Sequence, residues 1–375
     1  TVLSIEWVED QHCWAVEVVH TRQDLAKRAR EPGRLLTRKV ILAAGTLGST
    51  EILLRSRERG LRLPDWLGHR FSGNGDTIAV GFGQNAEVNA VADEACNPGD
   101  RRVGPTITGV IDYAATAAGP SLTIEEMAVP GAMRRIFEEI YTTTNCLHTL
   151  AETDGTDHLS GHPDTDPLSV DSQQIAHTSL YAVMADDGAA GEMSLRANFE
   201  TGSDGALRID WPGLSAQSLY EHQVSALESM TGPATVGGRV LANPAWRPLP
   251  KSMEFLLGAH KGPQITVHPL GGCAMADSAD AGVVNQYGQV YTDGDSREEV
   301  YENLAVLDGA IIPCALGTNP ALTIAAVAHR AVEHLAAQWQ LRPGDRASCL
   351  ATALVMLTLL PVVRHGRLAL SLIHI

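Results

Sequence analysis

Cysteine is sparse and unpaired in this sequence. The six cysteines (Cys13, Cys96, Cys146, Cys273, Cys314, Cys349) are scattered, with no Cys-x-x-Cys among them. That spacing excludes a thiolate zinc cage and a disulfide-dense scaffold, and it suits a reducing, cytoplasmic compartment. Basic residues are in deficit too, leaving a formal net charge of −16. A field of that sign repels phosphate backbones and anionic lipid, so no nucleic-acid partner and no membrane association are expected. There is no Gly-x-Ser-x-Gly elbow and no His-Glu-x-x-His, so a hydrolase reading lacks its starting residue. His158 and His162 lie near Asp154, Asp157 and Asp164, but Gly161 and Pro163 make this a solvated loop, and no metal is expected there.

Long apolar runs are equally scarce. The run from Cys349 to Val363 is broken by Pro361, and its roughly 15 residues fall short of the roughly 20 that a membrane helix needs. It reads as a docking helix or as sequence foreign to the domain, and the final Leu370–Ile375 resembles translated read-through. At the other end, Thr1 is followed by the strand-like alternation Val2-Leu3-Ser4-Ile5-Glu6-Trp7-Val8, with no signal-peptide pattern. The chain is therefore expected to open inside a domain, as an incomplete reading frame or after processing.

What is present is globular: 44% hydrophobic and 19% charged residues over 375 positions, enough for about two domains. Val40-Ile41-Leu42-Ala43-Ala44 is a continuous apolar run, expected as a strand buried on both faces of a parallel sheet. The glycine turn Gly45-Thr46-Leu47-Gly48-Ser49 follows, with a helix from about Glu51; strand, turn and helix in that order are α/β grammar. From about Asn85 to Leu256 short alternating stretches, such as Thr106–Ile111, Leu180–Met184 and Leu207–Trp211, predict antiparallel strands. Helices are predicted near Ala132–Leu150 and Ser218–Thr231, and a surface loop over Asp154–Asp171. After Leu256 the α/β texture returns, ending in an Ala-rich helix from Ala321 to about Gln338.

Two stretches could carry chemistry. In His268-Pro269-Leu270-Gly271-Gly272-Cys273 the proline pushes the histidine towards extended backbone. The glycine pair permits a tight turn and close approach to a ligand. A histidine so held is either a general base, its ordinary pKa lying near working pH, or a turn histidine bonded to backbone. The second stretch is a strand, Asn303–Leu307, ending in Asp308-Gly309, then Gly317-Thr318-Asn319-Pro320 before the Ala321 helix. Free N–H groups and the positive dipole end at that turn suit an anionic ligand. Asn319 is either a ligand contact or an N-cap with Pro320 at the first helical position. Cys273 and Cys314 flank these stretches and are expected to be packed thiols.

In that order these segments resemble the glucose–methanol–choline (GMC) oxidoreductases, with the cholesterol-oxidase-like branch as the nearest pattern. The Val40–Leu54 strand–turn–helix and Phe71-Ser72-Gly73-Asn74-Gly75 are similar to further family elements, so the resemblance runs from about Val2 to Leu335. It implies an α/β fold: an incomplete Rossmann-like FAD domain carrying an inserted, antiparallel-sheet-plus-helix substrate domain. The expected division is 1–85 and 257–342 for the FAD domain, 86–256 for the substrate domain, and 343–375 as a tail of doubtful origin. It implies an FAD-dependent oxidation of the CH–OH group of a bulky apolar alcohol, sterols among them, with O₂ or another acceptor taking the electrons. His268 matches the family's hydroxyl-proton acceptor and Asn319 the asparagine near substrate oxygen and flavin. Asp308 and Gly309 match the lining of the ribityl–pyrophosphate, Pro320 and Ala321 the backbone beside the isoalloxazine. Gly45 matches the glycine turn at the cofactor, and Val2 an adenine-side contact.

Two departures accompany the resemblance. The family's phosphate-binding Gly-x-Gly-x-x-Gly is absent, since Gly81-Phe82-Gly83-Gln84-Asn85-Ala86 imitates it without a helix to follow. Ile175 stands where the sterol oxidases carry an isomerising glutamate, and an apolar side chain cannot shuttle a proton. The alternative to the enzyme is therefore an inactive fragment, or a binding module with the same fold.

Overall fold

The computed structural model describes residues 1–21, 32–88, 90–92, 107, 109–117, 119–152, 176–198, 203–231, 235–250, 253 and 261–341. His158, His162, Ile175, the Asp154–Asp171 loop, Cys96, Cys349 and the tail from 342 onward lie outside the described residues.

In chain order the elements used below are β1 (Val2–Val8), β2 (Cys13–Val18), β3 (Gly33–Thr37), β4 (Val40–Leu42) and α1 (Gly45–Glu58). Next come β5 (Thr77–Phe82), β6 (Val110–Tyr113), β7 (Leu122–Met127), α2 (Arg134–Glu152) and β8 (Ser179–Met184). Then follow β9 (Glu192–Asn198), β10 (Ser203–Asp210), α3 (Ser218–Met230) and β11 (Arg239–Ala242). The last are β12 (Gln289–Tyr291), β13 (Val300–Val306) and α4 (Ala321–Gln338).

These elements form two compact units. The first gathers Thr1–Asn74, Asp186–Pro212 and the chain from His268; the second gathers Gly75–Ala185 and Gly213–Val267. The divisions thus fall at 74/75 and 267/268 rather than at 85/86 and 256/257. The β9–β10 hairpin belongs to the first unit because Met193 N–H donates to Gly68 O at 2.7 Å and Phe71 bridges Gly191.

In the first unit β1, β2 and β3 form an antiparallel meander, and a second sheet has the order β12-β13-β4. In the second sheet β4 runs parallel to β13, with Val40, Ile41 and Leu42 opposite Leu304, Ala305 and Val306. The apolar run read as a parallel strand is one: Val40 and Leu42 are buried, and Ile41 joins the cluster of Ala305, Leu307, Ala331 and Leu335. Helix α4 covers that sheet through Ala331 and Leu335, four residues apart and so on one face. Helix α1 starts earlier than expected, at Gly45, so the glycine turn is the helix's first turn rather than a loop before it. Gly45 itself has φ +79°, a conformation open to glycine, which lets the chain turn sharply out of β4.

The second unit is a five-stranded sheet of order β11-β5-β8-β7-β6, antiparallel at every step. Val80, Phe82, Leu180 and Leu241 pack under Phe137 and Tyr141 of α2, the alternation of β5 sending every second side chain to that core. Both helices expected here are present, shifted by a residue or two. Of the first expected strand, Thr106 and Thr108 lie outside the described residues, and Val110–Tyr113 is a strand. Gly81–Ala86 ends β5 in a turn with no helix, so the glycine pattern there is fortuitous. The chain as a whole is mixed α/β, with an antiparallel sheet and helices inserted into an α/β unit.

Candidate active site

Asp308 terminates β13 and is nearly sealed from solvent. Its Oδ1 accepts the N–H of Ala310 at 2.9 Å, capping the short helical turn Gly309–Ile311. Its Oδ2 accepts the N–H of Gly45 at 3.0 Å and the hydroxyl of Ser49 at 2.5 Å. Burial raises the carboxyl pKa, while the three donors pull the other way. Asp308 thus ties the end of β13 to the first turn of α1. Gly309 is required by the same packing, because a Cβ there would lie 2.7 Å from Thr46 Oγ1.

The His268 loop is fastened to the same helix. Thr46 Oγ1 donates to Pro269 O at 2.7 Å, and Gly271 N–H donates to Gly309 O at 3.0 Å. On its other edge, Leu270 and Ser72 exchange two backbone hydrogen bonds of 2.9 Å. The glycine pair is needed for protein packing. A Cβ on Gly271 would fall 1.8 Å from Arg70 O, and one on Gly272 would fall 2.1 Å from the Met193 methyl. His268 itself is half-buried, one residue before this fastened stretch.

The Asn319 loop meets the same stretch, residues 70–74, from another direction. Asn74 Oδ1 accepts the N–H groups of Leu316 at 2.8 Å and Gly317 at 2.9 Å, and its Nδ2 donates to Thr318 O at 2.9 Å. Asn74 is fully buried at φ +58°, a left-handed conformation that asparagine tolerates better than most residues. Ser72 Oγ accepts from Asn74 N–H at 2.8 Å and donates to Asp187 Oδ1 at 2.8 Å, while Asp187 Oδ2 takes the Gly73 N–H at 2.9 Å. Residues 70–74 therefore form one bracket that holds both loops. Asn319 is half-buried, and Pro320, not Asn319, occupies the N-cap of α4, with no side-chain cap. The capping role weighed for Asn319 is thus taken by a residue that has no side-chain acceptor to offer.

The structure brings Gly45, Asp308 and Gly309 into direct contact and joins the loops of His268 and Asn319 through one bracket. Pro320 is buried and Ala321 exposed at the start of α4. Val2 lies in the other sheet, its side chain sealed in and its backbone paired with Val18. Cys273 is packed as expected, its Sγ 3.5 Å from Thr50 Oγ1 and its pKa pushed up to about 12 by burial. Cys314 is not: it is exposed. Thr46 and Asp187 were not singled out from sequence, and Ser72 and Asn74 stood out only as part of the Phe71–Gly75 turn, with no role of their own. For Asn74 the available signal was its position between two glycines, where a left-handed turn is natural. Among the described residues there is no group of three or more potential metal ligands, and no helix is long and apolar enough to cross a membrane.

Comparison with known proteins supplies the family. Residues 250–328, which contain the His268 loop, Asp308 and Asn319, match the family model described as GMC oxidoreductase. A cholesterol oxidase of Acinetobacter baumannii is 27% identical over 314 residues, 80% of this chain and 48% of the relative, so the chain spans about half the length of that protein. Among solved structures, an FAD-dependent oxidoreductase from Chaetomium thermophilum aligns over 91% of this chain and 61% of its own, with 16% identity and a TM-score of 0.50. A formate oxidase aligns over 90% and 60% respectively, with 13% identity and a TM-score of 0.51. These two likenesses speak for the fold alone. With the family model seated on the His268 and Asn319 loops and a relative aligned along four fifths of the sequence, the chain is similar to the GMC oxidoreductases.

Proposed function

We propose that the protein is an FAD-dependent oxidoreductase acting on the CH–OH group of a bulky, largely apolar alcohol, with sterols the first class to test. The observation that carries this reading is the bracket of residues 70–74, which receives both the His268 loop and the Asn319 loop. The cholesterol oxidase relative supports the choice of substrate class.

The residues present fit the cofactor. A Cβ on Gly45 would meet nothing within 4 Å, so the chain leaves open space where α1 begins. Helices α1 and α4 both start without a side-chain cap and without an acidic residue in the first turn. The Gly45 N–H at the start of α1 is already taken by Asp308, so the dipole end of α4 is the one left to phosphate or to an electron-rich ring oxygen. Gly45, Asp308, Gly309 and the Pro320–Ala321 backbone would hold FAD, with Val2 on the adenine side. When bound, FAD supplies a two-electron acceptor. The imidazole of His268 takes the hydroxyl proton. The Asn319 carboxamide, both donor and acceptor, fixes the substrate oxygen. Electrons leave to O₂ or to another acceptor. In this reading the first unit is the cofactor domain and the second the substrate domain.

A second reading, a cofactor-free module with the same fold, is favoured by one observation: no Gly-x-Gly-x-x-Gly opens a helix in this sequence. Flavin absorbance of the purified full chain separates the two readings. For the enzyme, His268→Ala keeps its flavin but loses turnover by about 10²–10⁴-fold. Unchanged turnover removes His268 from the chemistry, and absence of flavin from the wild-type chain sinks the enzyme reading.

A further inference from the structure

The carboxamide of Asn74 spends its bonding on a loop that is distant in sequence. Three consecutive residues, Leu316, Gly317 and Thr318, each bond to it, and the next residue is Asn319. An asparagine that only stabilised its own left-handed turn would bond locally, as Asx turns do. Here both side-chain atoms point elsewhere, and the turn is held instead by the Asn74 N–H to Ser72 Oγ. Ser72 in turn is the residue whose backbone pairs with Leu270, two residues beyond His268.

We propose that Asn74 is a positioning residue for the reaction: its carboxamide fixes the backbone from which Asn319 projects and, through Ser72, registers that backbone with the His268 loop. The proposal rests on the oxidoreductase reading above and deepens it. Loss of the carboxamide removes a partner from two half-buried N–H groups and one carbonyl directly before Asn319. A displacement of well under 1 Å at a reacting group is enough to cost rate.

The test uses the full chain with Asn74→Gly, which keeps the left-handed backbone, and Asn74→Asp, which keeps the acceptor but loses the donor to Thr318 O. In hydrogen–deuterium exchange of the cofactor-free proteins, the peptide spanning 314–320 exchanges about 10-fold faster in Asn74→Gly, while peptides from α2 and β13 are unchanged. Asn74→Asp, as the milder change, falls between that variant and wild type. In turnover, Asn74→Gly lowers kcat about 10-fold with flavin content and KM retained, and costs nothing further when placed on Asn319→Ala. Wild-type exchange at 314–320 in both variants overturns the proposal, as does full additivity of the two substitutions in kcat. A chain without flavin turnover defeats the oxidoreductase reading by itself and leaves the exchange result to decide the fastening of the loop.

Discussion

The amide of Gly45 donates to the carboxylate of Asp308 at 3.0 Å across 263 positions of the chain. With Ser49 and Ala310 completing its set of donors, that carboxylate joins the turn after β4 to the turn after β13.

Asp308→Ala leaves the Gly45 and Ala310 N–H groups and the Ser49 hydroxyl without their acceptor in a buried setting. At about 1–3 kcal/mol for each buried group left unsatisfied, the expected loss of unfolding free energy is at least about 2 kcal/mol. Urea denaturation of the two proteins measures it, and a change within error would mean that water replaces the carboxylate freely.

The pH dependence of that site has a definite sign. Because burial raises the Asp308 pKa in the folded state above its ordinary 3.8, its stabilising contribution is greatest below that value and declines as pH rises through the folded value. Asparagine does not titrate. The stability of wild type relative to Asp308→Asn should therefore fall as pH rises above about 4, read from paired denaturation curves. A rise with pH would contradict the buried, desolvated setting.

Two of the glycines that turn left-handed at the site, Gly45 and Gly271, should respond differently to alanine. Gly45→Ala places its methyl in open space and incurs only the backbone cost, about 1 kcal/mol. Gly271→Ala drives its methyl into the Arg70 carbonyl and should cost several times as much, or prevent folding. Thermal melts rank them. If Gly45→Ala nevertheless displaces flavin, its methyl has filled the space proposed for the cofactor.

The cysteines should separate under alkylation. Cys314 is exposed, whereas Cys13 and Cys273 are buried and burial holds the Cys273 thiol at a pKa of about 12. Iodoacetamide at pH 8 should label Cys314 in the native chain, while Cys13 and Cys273 react only after unfolding, as peptide mass spectrometry would record.

Much of this was legible in the sequence, for physical reasons that can be named. Val40–Leu42 is apolar without a break because it is covered on both sides, and Ala321–Gln338 is dense in helix formers after a proline stop. His268, Asp308 and Asn319 stood out because their neighbours, proline and glycine, restrict backbone in recognisable ways. What escaped was pairing at long range. Asn74 in Ser-Gly-Asn-Gly looks like any turn asparagine until the 316–318 loop folds against it. That the glycines after His268 also face Arg70 and Met193, where a Cβ would collide, was not visible in sequence. Cys314 was expected to be packed beside the candidate site, yet it is exposed, since exposure is a property of the fold rather than of a local window.

The parallel ladder between β4 and β13 also sets the order of assembly. Leu42 and Val306 are neighbours across the ladder, yet more than two hundred residues are synthesised between them. The β1–β3 meander and the β9–β10 hairpin close over short spans and can form as they emerge, whereas β4 waits until β13 has been made. A protein wired this way folds slowly and late, and it depends in the interval on whatever shields a nascent apolar strand.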